Sequence, residues 1–385
     1  MRAWWCFALI GGAAAAAYGA GGGQSRQAVY AEVREAAALG QRLFADPALS
    51  ASGRLACASC HDPQAAFGPA GPEAVRLGGA DLRRAGRRAV PSLRYLQAVP
   101  AFTEHYFESE DEGDPSVDNG PTGGLTWDGR VDRARDQARL PLLSPFEMAN
   151  RSPAALAARV GIPFPRILAA LEAFEQQSAL FYPYSSKYDA YLAGKAELTA
   201  QEARGLAAFN DPARGNCAHC HFSARGLDGT PPQFTDYGFV ALGVPRNPAI
   251  PANADPNYYD LGLCGPLRRD FLGRAEYCGL FRAPSLRNTA RRRVFFHNGA
   301  FHSLEQVLDF YAERDTAPEK FYPRGEKFDD LPARYRGNVN SEPPFGGRPG
   351  EAPRLSPADR ADIIAFLQTL NDGYYRPGTA TGRER

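Results

Sequence analysis

The sequence predicts a mostly α-helical, loop-rich chain built as two similar halves. Three observations carry this. A segment repeats: Ala38-Leu39-Gly40-Gln41-Arg42-Leu43-Phe44-Ala45-Asp46-Pro47 returns as Ala203-Arg204-Gly205-Leu206-Ala207-Ala208-Phe209-Asn210-Asp211-Pro212, with Gly, Phe, Asp and Pro in register. No long stretch alternates apolar and polar residues as a half-buried strand does. The 39 glycines and 32 prolines in 385 residues demand many turns, without reaching the composition of a disordered chain.

Taken along the chain, residues 1–20 have the pattern of a secretory signal. Arg2 supplies the positive start, residues 3–17 are apolar, and Ala17-Tyr18-Gly19 offers a small-x-small cleavage site. The apolar core is too short and too rich in Ala and Gly to span a membrane well. No later segment is apolar for 18 residues, so no membrane span is expected after cleavage, and the protein is expected in the bacterial periplasm. The net charge of +1 gives no footprint for nucleic acid or for an anionic membrane surface.

Each copy of the repeated segment reads as a helix running into a loop with one pattern. The first loop is Cys57-Ala58-Ser59-Cys60-His61 and the second is Cys217-Ala218-His219-Cys220-His221. In Cys-x-x-Cys-His, two thiols add to the haem vinyl groups and the His becomes an axial iron ligand. Cys57, Cys60, Cys217 and Cys220 are therefore expected to attach two c-type haems, with His61 and His221 on the irons. The expected architecture is two cytochrome c-like haem domains packed together, at residues 26–182 and 186–375. Their joint falls near Tyr182-Pro183-Tyr184-Ser185-Ser186. Of the other cysteines, Cys6 leaves with the signal. Cys264 and Cys278 remain in a compartment that permits disulfides, and are read as a pair; two free thiols are the alternative.

The repeat extends further. Pro91-Ser92-Leu93-Arg94 matches Pro284-Ser285-Leu286-Arg287, and Trp127-Asp128-Gly129 matches His297-Asn298-Gly299. The halves differ by an acidic, Gly-rich insertion at 104–124 and a long loop at 258–278. Helical spacing is present at 167–174 and 304–310. Near the end, Ser356 caps and Pro357 starts a helix whose Ile363, Phe366, Leu367 and Leu370 share one face. Residues 376–385 read as a frayed tail.

The two haems are not expected to be equivalent. Fourteen residues after Trp127 stands Pro141, and fourteen after His297 stands Tyr311. If this position faces the open side of each haem, Pro141 leaves the first iron a vacant site, while Tyr311 fills the second. A phenolate favours oxidised iron, whereas a Met thioether favours reduced iron. The only Met beyond the signal is Met148, in the first half. Tyr311 is equally readable as a core aromatic of its helix. Glu147 is read in two ways that coexist: as a carboxyl that shuttles a proton of bound peroxide, and as the third helical residue of a capping box begun by Ser144. Gln137 either hydrogen-bonds a bound oxygen species or lies on a helix surface. Trp127, the only Trp beyond the signal, is either a relay between haems or a buried core residue.

These residues carry a family likeness. The chain resembles the bacterial di-haem cytochrome c peroxidase superfamily over nearly its whole length beyond the signal. Trp127-Asp128-Gly129-Arg130 and Pro145-Phe146-Glu147-Met148 resemble its motifs. Tyr311 in place of Met resembles the MauG branch. The stretch from Phe310 to Thr316, Asp329-Asp330-Leu331-Pro332 and Asn338-Val339-Asn340 look most like MbnH-type enzymes. The resemblance implies that His61 serves a peroxide-reactive haem, that His221 and Tyr311 ligate the second, and that Trp127 lets a high-valent state spread over both. It also implies Glu147, Gln137 and Pro141 as the distal pocket. It further implies oxidation of Trp residues on a partner, here a small periplasmic protein linked to copper. Calcium between the haems is a family feature, but Arg94 stands where its Asn belongs and Arg292-Arg293-Val294 replaces Thr-x-Pro. Gly215 occupies the place of a surface Trp. His105 is weighed as a distal His that blocks the first haem, against a solvent-facing loop residue. His219 is read as filler within its motif, and His302 as a helix N-terminal residue.

Two enzyme readings and one carrier reading compete. The first is a di-haem oxidase that uses hydrogen peroxide to modify a partner protein. The second is an ordinary cytochrome c peroxidase fed by a small cytochrome or cupredoxin, and the lack of a Met ligand argues against it. The third is a plain electron carrier, which gains nothing from the open site at Pro141.

Overall fold

The computed structural model describes residues 25–109 and 113–375. The signal-like stretch 1–20 and the tail 376–385 lie outside the described residues. The molecule is mostly helical with long connecting loops. Its helices are α1 (Arg26–Phe44), α2 (Ala134–Leu143), α3 (Pro153–Val160), α4 (Phe164–Glu175), α5 (Ser178–Phe181), α6 (Lys187–Leu192), α7 (Ala200–Asn210), α8 (Leu304–Glu313) and α9 (Pro357–Gln368). Among the described residues the strands form two small antiparallel pairs, supplemented by isolated bridges such as Thr122–Gly238 and Ala241–Val339. Strand β1 (Leu77–Gly78) pairs with β2 (Arg84–Ala85), and β3 (Phe239–Val240) with β4 (Phe281–Arg282).

Side chains set the helix starts. Thr199 and Glu202 form a reciprocal capping box on α7, and Ser356 and Asp359 form one on α9. The repeated glycine then has a physical reason. α1 packs against α4, and α7 against α9. A Cβ on Gly40 would lie 1.9 Å from the Ala170 carbonyl oxygen, and one on Gly205 would lie 1.9 Å from that of Asp362. Only glycine lets each backbone pair approach so closely.

Two apolar cores result. One gathers Leu43, Phe44, Phe67, Met148, Ile167, Phe174 and Phe181, with Phe67 stacked on Phe181 at 4.2 Å. The other gathers Tyr188, Phe209, Phe234, Phe310, Ile363, Phe366 and Leu370. α9 thus buries the face its sequence predicts. Cys264 and Cys278 are disulfide-bonded. Closing a loop of about 15 residues stabilises by roughly 3 kcal/mol on loop-entropy grounds.

One expectation is corrected. The Ser144-x-x-Glu147 pattern does not begin a helix. Ser144 ends α2, residues 145–148 form a turn, and the next helix starts at Pro153. The cause is tertiary: the Gly79 amide donates to the Glu147 carbonyl at 2.7 Å. Gly78 also lies so close that a Cβ there would sit 2.3 Å from the Phe146 oxygen. The clamp holds Glu147 in a turn, away from helical pairing.

Buried ion pairs join the two cores. Arg88 donates to Asp128 at 2.8 Å and to Asp260 at 2.6 Å. Asp372 receives Arg94 at 2.8 Å, the Tyr95 hydroxyl at 2.7 Å and Asn288 Nδ2 at 2.6 Å. Removing one partner of such a buried set typically costs about 3–5 kcal/mol. Among the described residues no single helix is long and apolar enough to cross a membrane. The bent pair α3–α4 carries enough apolar residues, but its halves meet at 80° and α4 packs Ile167, Leu171 and Phe174 into the first core.

Candidate haem sites

Each Cys-x-x-Cys-His motif forms a single tight turn. The turns span Cys57–Ser59 and Cys217–His219, and the amides of His61 and His221 donate to the Cys57 and Cys217 carbonyls at 2.9 Å. All four thiols are unpaired. Burial pushes the Cys57 and Cys217 thiols up to about 12.

The two imidazoles are held alike. His61 Nδ1 lies 3.0 Å from the Phe67 carbonyl oxygen, and His221 Nδ1 lies 2.7 Å from that of Phe234. A carbonyl only accepts, so Nδ1 carries the proton and Nε2 is left bare for a metal. Burial drives His61 down to about 4 and lowers His221 as well, which keeps both rings neutral. The Pro-Ser-Leu-Arg repeat supports the same carbonyls. The Leu93 amide donates to Phe67 O and the Leu286 amide to Phe234 O. Ser92 Oγ donates to Ala66 O at 2.7 Å, and Ser285 Oγ to Gln233 O at 2.6 Å.

Cys217, Cys220, His221 and Tyr311 line one cavity of about 260 Å³ that continues between the halves to Trp127 and Gln137. Tyr311 stacks on Phe345 at 5.1 Å, and among the described residues its hydroxyl has no hydrogen-bond partner. Burial raises its phenol well above the ordinary range, with the nearby cysteines adding to this. Arg314, 3.6 Å over the Phe345 ring, backs that stack.

In the first half, Pro141 lies inside α2, one turn after Gln137. Glu147 is exposed, and neither it nor Pro141 lines the cavity. The surrounding protein raises its carboxyl above the usual range, while Ser144 and Arg130 pull it down. Its charge is felt at the Cys60 thiol. Met148 is packed in the core.

Trp127 is half-buried at the boundary. Its indole Nε1 donates to Ala89 O at 2.9 Å, and its carbonyl accepts from the Arg282 amide at 2.9 Å. His105 is exposed and paired with Asp118 at 2.6 Å. His219 and His302 are exposed as well.

Three residues of this cavity have surroundings that the sequence did not foretell. Arg282 and Arg292 line it; Arg282 donates to Thr126 O, Arg292 to Val90 O and Val294 O, and among the described residues neither has a carboxylate partner. Burial lowers both to about 10. His297 Nε2 is buried without a partner, its ring stacked on Phe281 at 3.5 Å. Unpaired buried cations are costly unless an anion joins them. Haem brings propionates, so two bare imidazole nitrogens, four thiols and two unpaired guanidiniums fit two haem groups. No local signal marks these arginines, because their lack of a carboxylate partner is a property of the folded chain. At Arg94, where the calcium question turned, the guanidinium donates to Asp372.

Comparison with known proteins agrees. Residues 34–197 match the family described as di-haem cytochrome c peroxidase. The methylamine utilization protein MauG of Paracoccus denitrificans (strain Pd 1222) is 32% identical over 381 residues, covering 89% of this chain and 89% of that protein. The crystal structure of the diheme peroxidase BthA from Burkholderia thailandensis E264 superposes with a TM-score of 0.77 at 38% identity, covering 91% of this chain and 90% of that one. A MauG-like protein associated with microbial copper homeostasis gives 0.61 at 27% identity, covering 88% and 89%. With this identity over nearly its whole length, and with the haem-binding geometry duplicated, the chain belongs to the di-haem cytochrome c peroxidase family.

Proposed function

We propose that this protein is an exported, periplasmic enzyme that uses hydrogen peroxide to oxidise Trp side chains of a small partner protein. The asymmetry of the repeat carries this reading: Pro141 stands where Tyr311 stands in the other half. Cys57 and Cys60 would hold one haem covalently and Cys217 and Cys220 the other, in units spanning residues 26–182 and 186–375. His61 would serve the first haem, and His221 and Tyr311 the second. The haems supply the iron chemistry that accepts electrons from protein and delivers them to peroxide.

The chain's own groups direct that chemistry. A proline presents no donor atom, so Pro141 leaves room for peroxide. Glu147 takes the proton from the near oxygen of hydrogen peroxide and returns it to the far oxygen as water leaves. A carboxyl with a raised pKa is suited to both halves of that transfer. Gln137 offers an amide donor to the oxygen that stays. Trp127, bonded to Ala89 and lying in the shared cavity, relays charge between the haems.

The ordinary peroxidase reading has support in relatives such as the cytochrome-c peroxidase IdrP1 of Pseudomonas sp. (strain SCT), 28% identical over 297 residues. Mass spectrometry of co-encoded small exported proteins after treatment with enzyme and peroxide separates the two. Gain of oxygen at Trp supports partner oxidation. Unmodified candidates together with rapid oxidation of a reduced cytochrome or cupredoxin would establish the ordinary peroxidase instead.

A further inference from the structure

The cavity between the halves has a tyrosine on its wall. Tyr95 is 2% exposed and lines the same space as Trp127 and Tyr311. Its hydroxyl donates to Asp372 Oδ1 at 2.7 Å. Behind it lies a second phenol. Tyr184 sits 5.1 Å away in edge contact, half-buried, with its backbone amide donating to the Tyr95 oxygen at 3.1 Å. The next residue, Ser185, accepts at its carbonyl from the amide of Tyr374, which is 57% exposed. Two phenols in edge contact thus lead away from the cavity wall, and the segment that carries the second is bonded through its backbone to the exposed Tyr374.

We propose that Tyr95 is a redox-active residue, with Asp372 as its proton acceptor, through which oxidising equivalents pass from the haem cavity toward the surface by way of Tyr184. This rests on the peroxide-driven oxidation of a partner proposed above. In the step, the Tyr95 O–H bond breaks. The electron goes to the peroxide-oxidised haem pair, and the proton crosses to Asp372 Oδ1. The neutral phenoxyl radical regains an electron, by way of Tyr184, from the bound partner, which is thereby oxidised, and Asp372 returns the proton.

Oxidation of Tyr95 requires a base. The Arg287 guanidinium carbon lies 4.8 Å from each of the two rings. Asp189 pairs with that guanidinium at 2.9 Å through both oxygens, so the need for a base comes from the phenol itself, which becomes strongly acidic once it loses an electron. Oxidation is then favourable only if the proton leaves with the electron, and a carboxylate at 2.7 Å receives it without rearrangement.

The test is freeze-quenched electron paramagnetic resonance of the holoenzyme mixed with hydrogen peroxide. Samples are compared at equal extents of haem oxidation, read optically, with and without ring-deuterated tyrosine. The expected result is a radical signal that narrows on deuteration and falls at least fivefold in Tyr95→Phe. Asp372→Asn, which removes the base but keeps the size, should diminish it too; if that variant does not fold, Tyr95→Phe decides alone. A wild-type enzyme whose haems oxidise fully without a tyrosyl signal would overturn the inference and leave the peroxide reaction standing. So would an undiminished signal in Tyr95→Phe. Haems that do not respond to peroxide would overturn both.

Discussion

Trp127 and His297, equivalent positions of the repeat, meet through one residue. The Trp127 indole donates to the Ala89 carbonyl, and the Ala89 amide donates to the His297 carbonyl at 2.7 Å. The corresponding loops of the two halves therefore face each other across the cavity, with Phe281 stacked on His297 and the backbone of Arg282 bonded to Trp127. Changes at this seam should be read in haem properties as well as in stability.

Arg292 is the clearest case. Its guanidinium lies in the haem cavity, close enough to disfavour the charged form of the His61 ring, and has no carboxylate partner among the described residues. Arg292→Gln should lower the midpoint potential of the first haem, since a nearby cation stabilises the reduced state. At an effective dielectric near 20 the loss is roughly 1–2 kcal/mol, on the order of 50–100 mV for one electron. Spectroelectrochemical titration measures it, and Arg292→Lys should restore much of the shift.

Glu147→Gln should slow the reaction with peroxide by about 10² to 10⁴, because the amide cannot move a proton. Stopped-flow mixing gives the rate. In the wild type the carboxyl must be ionised to accept the first proton. Its pKa is raised, so the rate should climb with pH through a value above the ordinary Glu range of about 4.3. The Gln variant should lose that dependence.

Tyr311→Met should raise the potential of the second haem, on the order of 100 mV or more, as a thioether replaces a phenolate. Redox titration checks it. An unchanged potential would leave Tyr311 as the partner of Phe345 and nothing else.

Gly205→Ala tests the helix crossing. The new methyl would press on the Asp362 carbonyl, and overpacking of this kind typically costs about 1–3 kcal/mol. The better helix propensity of Ala recovers at most about 1 kcal/mol. A thermal melt of the holoprotein should therefore shift down. Gly40→Ala, against Ala170, should behave in the same way.

Features governed by neighbouring residues were legible in the sequence. The haem motifs, the helices before them, the start of α9 and its buried face follow from short spacings, and the cysteine pair at 264 and 278 followed by elimination. Features governed by distant contacts were not. Ser144 and Glu147 have the spacing of a capping box, yet Gly78 and Gly79 close on that segment and make it a turn. Arg88 gives no local hint that it will join Asp128 to Asp260, forty and 172 residues away. The unpaired state of Arg282 and Arg292 depends on every element around the cavity.

The carboxylate of Asp372 has a consequence for engineering. Its donors come from positions 94, 95, 185 and 288, so they are spread across both haem-bearing units and the joint between them. A chimera that takes one unit from a relative would strand either the acid or its donors. The halves descend from one pattern, but they are no longer interchangeable parts: a graft must carry the acid and all four donor positions together.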